Sequence, residues 1–256
     1  MEPLFPGEPR PLIFGHRGYA SLAPENTMES FQLCADRGVF GIELDVHLCK
    51  SGELVVIHDH NVERIAGIPG HVESLTFAEL RSINAGIHFS DKFSGATIPL
   101  LEEVFNAFGT SFHYDIELKQ ELIHNTGLAL KTWNLIQSYH LESVCMVSSF
   151  NPFAIRQFNR VSNHSLPTGT IYSESPEVPR FLQHGWGRHI SQCTIMKPDV
   201  SLITPKTIGH FKSTLQYPII GWTIDNQDTA RRIIDWGIDG IITNNPGIFM
   251  ESENHL

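Results

Sequence analysis

Charged side chains occupy every second position in a short segment near residue 45. Glu43, Asp45 and His47 alternate there with apolar residues. Alternate side chains along a β-strand point to the same face, so we expect these three groups to lie side by side. Such an arrangement of carboxylates and imidazole is suited to binding a cation or transferring a proton.

The segment is followed by Ser51-Gly52, which is typical of a two-residue β-turn. If the chain folds back there as a hairpin, residues whose numbers sum to 103 face each other. Asp45 then lies opposite His58, and Glu43 lies opposite His60. The alternative is a longer connection to a parallel strand, which would also bring His58 to the Asp45 end.

A second segment places Asp115, Glu117 and Lys119 at alternate positions, separated by aliphatic residues. Strands of a barrel usually point apolar groups both into the barrel and toward the helices. Three charged groups at alternate positions therefore indicate the C-terminal mouth of a barrel, where the active sites of this architecture lie.

A third segment, Gly15-His16-Arg17-Gly18, follows an apolar strand candidate. Its two glycines allow a sharp turn and a close approach of the backbone to a ligand. The planar guanidinium of Arg17 is suited to phosphate oxygens. Lys119 could likewise stabilise charge on a phosphoryl group, and two histidines across the site could act as general acid and general base.

Glu43, Asp45 and Glu117 offer three carboxylates from two strands, which suit a hard divalent cation such as Mg²⁺ or Ca²⁺. His47 and His60 leave zinc as an alternative, although no thiolate lies nearby. Each pattern alone also fits a surface turn, an exposed strand face or a simple ion pair. Their occurrence together at successive strand ends favours a catalytic site.

The composition is ordinary for a globular chain of 256 residues, with 41% apolar and 18% charged residues. A formal net charge of −10 argues against a broad nucleic-acid-binding surface.

We find no signal peptide and no apolar stretch long enough to span a membrane, so we expect a cytoplasmic protein. The sequence leaves a monomer and a homodimer both open. Free thiols are expected for the scattered cysteines Cys34, Cys49, Cys145 and Cys193.

Short apolar segments alternate with helix-like ones, which favours an α/β fold with a parallel sheet. The length matches a (β/α)8 TIM barrel, and we expect one domain over residues 1–256. A stretch rich in Gly, Ser and His from 61 to about 98 predicts an insertion of about residues 61–110 after the His-Asp strand. Nine segments are strand candidates for eight places, so one is wrong or lies outside the barrel: 12–15, 42–46, 54–57, 112–118, 144–148, 168–171, 194–196, 219–224 and 240–242.

Three helix starts can be read from the sequence. Thr27 is expected to cap a helix that stops at Gly38. Thr76 and Glu79 form a capping-box pattern. Pro99 is expected in the first turn of a helix that stops at about residue 109.

Taken in order, these residues resemble the motifs of the glycerophosphodiester phosphodiesterase family, over about 230 residues of the chain. The resemblance rests on His16-Arg17-Gly18, Pro24-Glu25-Asn26-Thr27, Glu43 with Asp45, His58-Asp59, Leu75-Thr76 through Leu80, Ile98-Pro99, Leu101-Glu102-Glu103-Val104, Glu117 with Lys119, Ser149-Phe150, Trp222-Thr223-Ile224-Asp225, and Asp239 through Thr243 with Pro246.

The resemblance implies hydrolysis of a glycerophosphodiester to sn-glycerol 3-phosphate and an alcohol such as choline, ethanolamine or glycerol. In this family the glycerol hydroxyl of the substrate is thought to attack first and to form a cyclic phosphate. The resemblance implies these roles: one Mg²⁺ or Ca²⁺ on Glu43, Asp45 and Glu117, acid/base catalysis by His16 and His58, and phosphate binding by Arg17 and Lys119. Trp222 could stack on the glycerol carbons or belong to the core.

Two departures from the family pattern stand out. Residues 62–66 keep Arg64 but lack the two threonines that usually follow it. Asp225 replaces the usual Asn, and Asp115 stands where Asn is common, which predicts extra negative charge at the mouth and a preference for cationic head groups.

Two other functions fit the same scaffold. A lysophospholipase D-like phosphodiesterase needs an apolar groove for an acyl chain, and the stretch from Phe181 to Trp186 is the candidate for its rim. A phosphodiester-binding protein that has lost catalysis would show a broken metal or acid/base set, whereas every position is filled here.

Overall fold

A computed structural model of the chain describes residues 4–8 and 10–250. Its strands are β1 (Leu12–His16), β2 (Gly41–Leu48), β3 (Leu54–Val56), β4 (His113–Leu118), β5 (Cys145–Ser149), β6 (Thr168–Tyr172), β7 (Ile195–Pro198), β8 (Ile220–Gly221) and β9 (Gly240–Thr243). Its α-helices are α1 (Met28–Asp36), α2 (Glu63–Ala66), α3 (Phe77–Arg81), α4 (Leu101–Phe108), α5 (Leu128–Ser138), α6 (Pro152–Val161), α7 (Arg188–Ser191), α8 (Pro205–Ile208), α9 (Gln227–Asp235) and α10 (Gly247–Met250).

Eight of the strands form a parallel barrel in the order β7-β6-β5-β4-β2-β1-β9-β8. Parallel bridges from Met196 to Ile219 and from Asp199 to Trp222 join β7 to the β8 segment and close the ring. The predicted TIM barrel is therefore confirmed. The ninth strand, β3, pairs antiparallel with β2 and lies outside the barrel, which explains the surplus strand candidate.

The β2–β3 connection is a hairpin, but its predicted register is wrong by one residue. The observed pairs, such as Val46 with Val56 and His47 with Val55, have numbers that sum to 102. The loop contains three residues, 50–52, and Gly52 adopts φ +98°, a conformation that favours glycine. Asp45 consequently pairs with residue 57 and not with His58, and β3 ends before any pairing of Glu43 with His60.

The base of the barrel interior is apolar. A buried cluster from β1, β5, β7, β8 and β9 contains Leu12, Phe14, Met146, Ile195, Ile220 and Ile242. In β1, Phe14 lies two residues before His16 and therefore on the same face. The apolar cluster thus closes the barrel interior beneath the charged residues of the mouth.

Two of the predicted helix starts are confirmed. The Thr27 side chain accepts a hydrogen bond from Ser30 N, and α1 ends just before Gly38, which has φ +64°. Thr76 and Glu79 form the predicted capping box of α3.

The prediction for Pro99 is wrong, because Pro99 precedes the N-cap residue Leu100 and α4 begins at Leu101. The Glu103 side chain accepts a hydrogen bond from Leu100 N at 2.8 Å and so satisfies the start of this helix.

The inserted segment, residues 57–100 between β3 and α4, overlaps most of the predicted insertion and has a small apolar core of its own. It packs Ile57, Val62, Val72, Leu80, Ile83 and Ile98 around Val55 of β3. Its helices α2 and α3 are short, and it lies beside the hairpin that extends β2. No helix within residues 4–8 and 10–250 has both the length and the apolar character needed to cross a membrane.

Candidate active site

Three buried carboxylates lie together at the C-terminal ends of β2 and β4. The parallel register pairs Asp45 with Glu117, and Glu43 precedes Asp45 on the same face of β2. One oxygen from each carboxylate lies within 4.8 Å of the others. The structure thus brings together the three residues predicted as metal ligands.

The surroundings of Glu43 and Asp45 shift the pKa values of these two carboxyl groups in opposite directions. Burial and the nearby Asp45 and Glu117 raise the pKa of Glu43 well above its usual value. Burial also disfavours the ionised form of Asp45, but Lys119, His58 and Arg17 together outweigh it and hold the pKa of Asp45 well below its usual range.

The donor set fits a hard divalent cation. All three residues contribute carboxylate oxygens, the ligands that Mg²⁺ and Ca²⁺ prefer. Asp45 Oδ1 is buried and has no hydrogen-bond partner among the described residues. Asn26 donates to the other oxygen, Oδ2, at 2.8 Å and holds the carboxylate in place. A cation bound here would also offset the repulsion that raises the pKa of Glu43.

Two permanently charged side chains surround these carboxylates. Lys119 Nζ lies 2.9 Å from Glu117 Oε1 and 3.4 Å from Asp45 Oδ1. Arg17 Nε lies 3.4 Å from Asp45 Oδ2. Burial disfavours both cations, but the neighbouring carboxylates outweigh it and raise the pKa of both groups. Both residues are therefore charged, and they lie beside the carboxylates predicted as metal ligands.

The turn after β1 aims Arg17 at this group. The backbone N of Arg17 donates to Glu43 Oε2 at 3.0 Å, and Arg17 adopts φ +54°. Gly18 follows with φ +83°, and a Cβ at this position would collide with Ser30. The sharp turn predicted from the flanking glycines is thus present, and it requires glycine at position 18.

His16 is held by residues that lie far away in the sequence. Its Nδ1 lies 2.7 Å from Asn244 Oδ1, while Asn244 Nδ2 donates to Asp225 Oδ2 at 2.6 Å. Because an amide oxygen only accepts, Nδ1 carries the hydrogen and Nε2 is left as the free basic atom. Nε2 lies 3.9 Å from Glu43 Oε2. Burial, followed by the charge of Arg17, lowers the pKa of His16 to about 4, so the ring is neutral at pH 7.

His58 belongs to a chain of charged groups. Its Nδ1 lies 2.7 Å from Asp59 Oδ1, and Arg64 Nε donates to Asp59 Oδ2 at 2.5 Å. Arg64 also donates to Glu25, which in turn accepts from Arg17 at 3.0 Å. Burial raises the pKa of Asp59, but Arg64 and His58 outweigh it and lower that pKa, so Asp59 is ionised.

Beneath the carboxylates, a buried ion pair crosses the barrel interior. Lys197 of β7 donates to Asp115 of β4 at 2.5 Å and to Ser148 of β5 at 2.8 Å. Asp115 therefore does not add an unpaired negative charge at the mouth, because Lys197 pairs with it inside the barrel. The preference for cationic head groups stays a prediction. Asp225 accepts hydrogen bonds from Thr243 and Asn244, which hold its carboxylate in place without cancelling its charge.

Trp222 lies half-buried at the mouth. Its indole nitrogen donates to the carbonyl oxygen of Lys197 at 2.9 Å, and Phe150 packs edge-on against its ring with centroids 5.4 Å apart. One face of the barrel mouth is thus lined by a fixed aromatic ring.

His47 and His60 do not join the three-carboxylate group. Together with Glu73 they form a second group whose ligand atoms lie within 4.8 Å of one another. Burial and the neighbouring His47 and Lys119 lower the pKa of His60 to about 4.

Fold and site together define a TIM-barrel enzyme with a charged mouth suited to a phosphate ester. Residues 16–248 match the model of the glycerophosphoryl diester phosphodiesterase family, and the chain belongs to this family. The family, fold class and enzyme class predicted from the sequence, a phosphoric diester hydrolase, are confirmed.

Two relatives and one solved structure illustrate the similarity. A glycerophosphodiester phosphodiesterase of Caldanaerobacter subterraneus subsp. tengcongensis is 34% identical over 92% of this chain and 94% of its own length. A glycerophosphodiester phosphodiesterase of Bacillus altitudinis is 31% identical over 91% of this chain and 94% of its own length. A phosphodiesterase of Oleispira antarctica, solved with its product sn-glycerol-3-phosphate, superimposes with a TM-score of 0.80 at 23% identity, covering 95% of this chain and 97% of that one.

Proposed function

We propose that this protein hydrolyses glycerophosphodiesters to sn-glycerol 3-phosphate and an alcohol, with one Mg²⁺ or Ca²⁺ bound by Glu43, Asp45 and Glu117. The observation that carries this proposal is the group of three buried carboxylates at the barrel mouth, of which Asp45 has an oxygen that accepts no hydrogen bond from the described residues. Two relatives that match over most of the chain are named for this activity, which supports the substrate class.

The bound cation would supply positive charge to the phosphoryl oxygens and hold the substrate at the mouth. Arg17 and Lys119 would bind the remaining phosphoryl charge, since both are charged and close to Asp45. Trp222 would pack against the glycerol carbons.

His16 and His58 would share the proton transfers. His16 is neutral, and Asn244 keeps its hydrogen on Nδ1, so Nε2 would accept the proton of the attacking glycerol hydroxyl. Water would then open the resulting cyclic phosphate to give sn-glycerol 3-phosphate. His58 would donate a proton to the departing alcohol, with its ring oriented by the contact of Nδ1 with Asp59 Oδ1 at 2.7 Å.

The test is the release of glycerol 3-phosphate from glycerophosphocholine with Mg²⁺, with Ca²⁺ and with a chelator. Glu43→Ala and His16→Ala are compared with Glu63→Ala and His140→Asn, which change exposed residues. We expect turnover that requires metal, survives in the two controls and disappears in the two site variants. Turnover by fully metal-free protein would refute the metal assignment, and turnover by His16→Ala at the wild-type rate would refute its role as the base.

A second substrate class is favoured by one observation. Phe181 and Trp186, on the connection between β6 and α7, are 65% and 59% exposed. Connections that follow the strands of a TIM barrel surround its mouth, so these side chains are suited to an acyl chain. If lysophosphatidylcholine is a substrate, Phe181→Ser and Trp186→Ser should raise KM for it and leave KM for glycerophosphocholine unchanged.

A cytoplasmic location and a single domain over residues 1–256 complete the proposal. All four cysteines are buried and free, which supports a reducing compartment. Cell fractionation would test the location, and limited proteolysis would contradict one domain if it released two stable fragments.

A further inference from the structure

A second group of potential metal ligands lies where the inserted segment meets β2. His47, near the end of β2, is fully buried, and its ring packs edge-on against His60 with centroids 4.7 Å apart. Glu73, from the turn at Val72–Ser74, approaches both rings. Its Oε1 lies 3.8 Å from His47 Nδ1 and 3.7 Å from His60 Nδ1.

The hydrogen bonds of His47 determine which ring nitrogen is free. Nε2 lies 3.4 Å from the carbonyl oxygen of His58, which can only accept, so Nε2 carries the hydrogen of a neutral ring. Nδ1 then presents its lone pair toward the Glu73 carboxylate, and two acceptors face each other. A protonated ring or a cation between them would resolve this conflict. Metal-binding histidines commonly donate their second ring nitrogen to a carbonyl or carboxylate in this way.

The unpartnered nitrogens favour the cation. Nδ1 of His47 and Nδ1 of His60 are both buried, and neither has a hydrogen-bond partner among the described residues. The same carboxylate oxygen lies near both atoms. Two ligands bound about 2.1 Å from a tetrahedral ion are about 3.4 Å apart, so the two N–O distances must shorten by only a few tenths of an ångström.

We propose that His47, His60 and Glu73 form a second metal site, which binds a zinc-like divalent cation and is distinct from the three-carboxylate site. Two imidazoles and one carboxylate suit Zn²⁺ better than Mg²⁺ or Ca²⁺, which prefer oxygen ligands only. His71 and Glu121 lie at the edge, with His71 Nδ1 3.9 Å from Glu73 Oε2, and either could supply the fourth ligand.

The position of this site suggests its role. His47 follows Glu43 and Asp45 on one face of β2, whereas His60 and Glu73 belong to the inserted segment. A metal ion here would therefore fasten that segment to the strand that carries two of the catalytic carboxylates. It would also fix the position of His58, whose carbonyl oxygen faces His47.

The experiment is a titration of metal-free protein with Zn²⁺ in excess Mg²⁺, which occupies the three-carboxylate site. Binding is followed by calorimetry, and Co²⁺ is titrated in parallel because its visible spectrum reports tetrahedral nitrogen and oxygen coordination. The variants are Glu73→Gln and His60→Asn, whose side chains are 40% and 25% exposed, so the fold should tolerate both. Glu63→Gln and His140→Asn are the matched controls, and Glu43→Gln reports on the other site.

We expect one equivalent of Zn²⁺ to bind to the wild type, to both controls and to Glu43→Gln. Affinity should fall at least tenfold in Glu73→Gln and in His60→Asn, with loss of the Co²⁺ absorption bands. The proposal is overturned if the wild type binds no Zn²⁺, which would make His47 and Glu73 a simple ion pair. It is also overturned if binding persists in Glu73→Gln and His60→Asn, or is lost in Glu43→Gln.

Discussion

At the scale of single residues, the site depends on two asparagines whose roles cannot be read from the sequence. Asn244 orients His16, and Asn26 holds Asp45. The acids, histidines and Arg17 are predictable because their types are uncommon in the positions they occupy. Asparagine in a turn is usually explained by its backbone preferences, so Asn244 could not be selected from the sequence. Asn26 stands out only as a member of the motif from Pro24 to Thr27, without a role of its own.

Replacing Asn244 with Ala should slow the reaction by changing His16. Without the amide oxygen, the ring can carry its hydrogen on Nε2, which then cannot accept a proton. One hydrogen bond is worth about 1 kcal/mol, so we expect kcat to fall about five- to tenfold with a smaller change in KM. Steady-state kinetics would measure this, with Asn134→Ala on the exposed side of α5 as the control.

The same variant makes a prediction about protonation. The hydrogen bond to Asn244 raises the pKa of His16. Burial and the charge of Arg17 lower this pKa by more, so the resulting value is about 4. In metal-free Asn244→Ala the His16 midpoint should therefore move below that of the wild type in an NMR titration. An unchanged midpoint, or one near the ordinary value for histidine, would show that this hydrogen bond does not form.

At the scale of secondary-structure elements, the pairing of strands explains both the success and the failure of prediction. The alternation of Glu43 with Asp45, and of Asp115 with Glu117, predicted which groups share a face. The hairpin register was wrong because it depends on whether the turn has two or three residues, and Ser51-Gly52 fits either. Lys197 was not predicted as a buried partner, since its contact with Asp115 exists only after the barrel closes.

Removing Lys197 should destabilise the protein, because it would leave Asp115 as an unpaired charge inside the barrel. Breaking a buried ion pair in this way typically costs about 3–5 kcal/mol. We expect Lys197→Met to lower the free energy of unfolding by that amount in urea titrations. Asp115→Asn combined with Lys197→Met should recover much of the loss, and Lys206→Met, at an exposed site, should change little. Equal destabilisation in the single and double variants would contradict a charge-based explanation.

The connection between the inserted segment and the β1–α1 loop rests on Arg64, which joins Asp59 to Glu25. Arg64 is half-exposed, so its ion pairs should contribute no more than about 1 kcal/mol to stability. The loss of Arg64 should affect activity more than stability, because Asp59 orients His58 and Glu25 contacts Arg17. We expect Arg64→Ala to lower kcat/KM about three- to tenfold with little change in Tm. The control Arg156→Ala, on the exposed side of α6, should change neither kcat/KM nor Tm. A drop in Tm of more than about 5 °C would instead indicate a structural role.

At the scale of the whole molecule, burying the three carboxylates of the mouth together reduces the stability of the fold. Glu43 has a raised pKa, so the free energy that its burial costs is absent below about pH 4.5, the ordinary value for glutamate, and grows as the pH rises. Asp45 has a lowered pKa and contributes the opposite slope only at lower pH. A barrel of this length could be predicted from the sequence. The cost of burying Glu43 could not, because it arises only when the fold brings the three carboxylates together.

Glu43→Gln should therefore stabilise the metal-free protein while removing its response to metal. In thermal unfolding at pH 7.5 we expect the Tm of the metal-free variant to exceed that of the wild type by a few degrees, and the difference to shrink as the pH approaches 4.5. Mg²⁺ or Ca²⁺ at about 100 times its Kd should stabilise the wild type by about 2.7 kcal/mol, or roughly 5–10 °C, and should leave the variant unchanged. Glu63→Gln should behave like the wild type throughout. If the metal raises the Tm of Glu43→Gln as much as that of the wild type, Glu43 is not a ligand, and the cation is bound elsewhere.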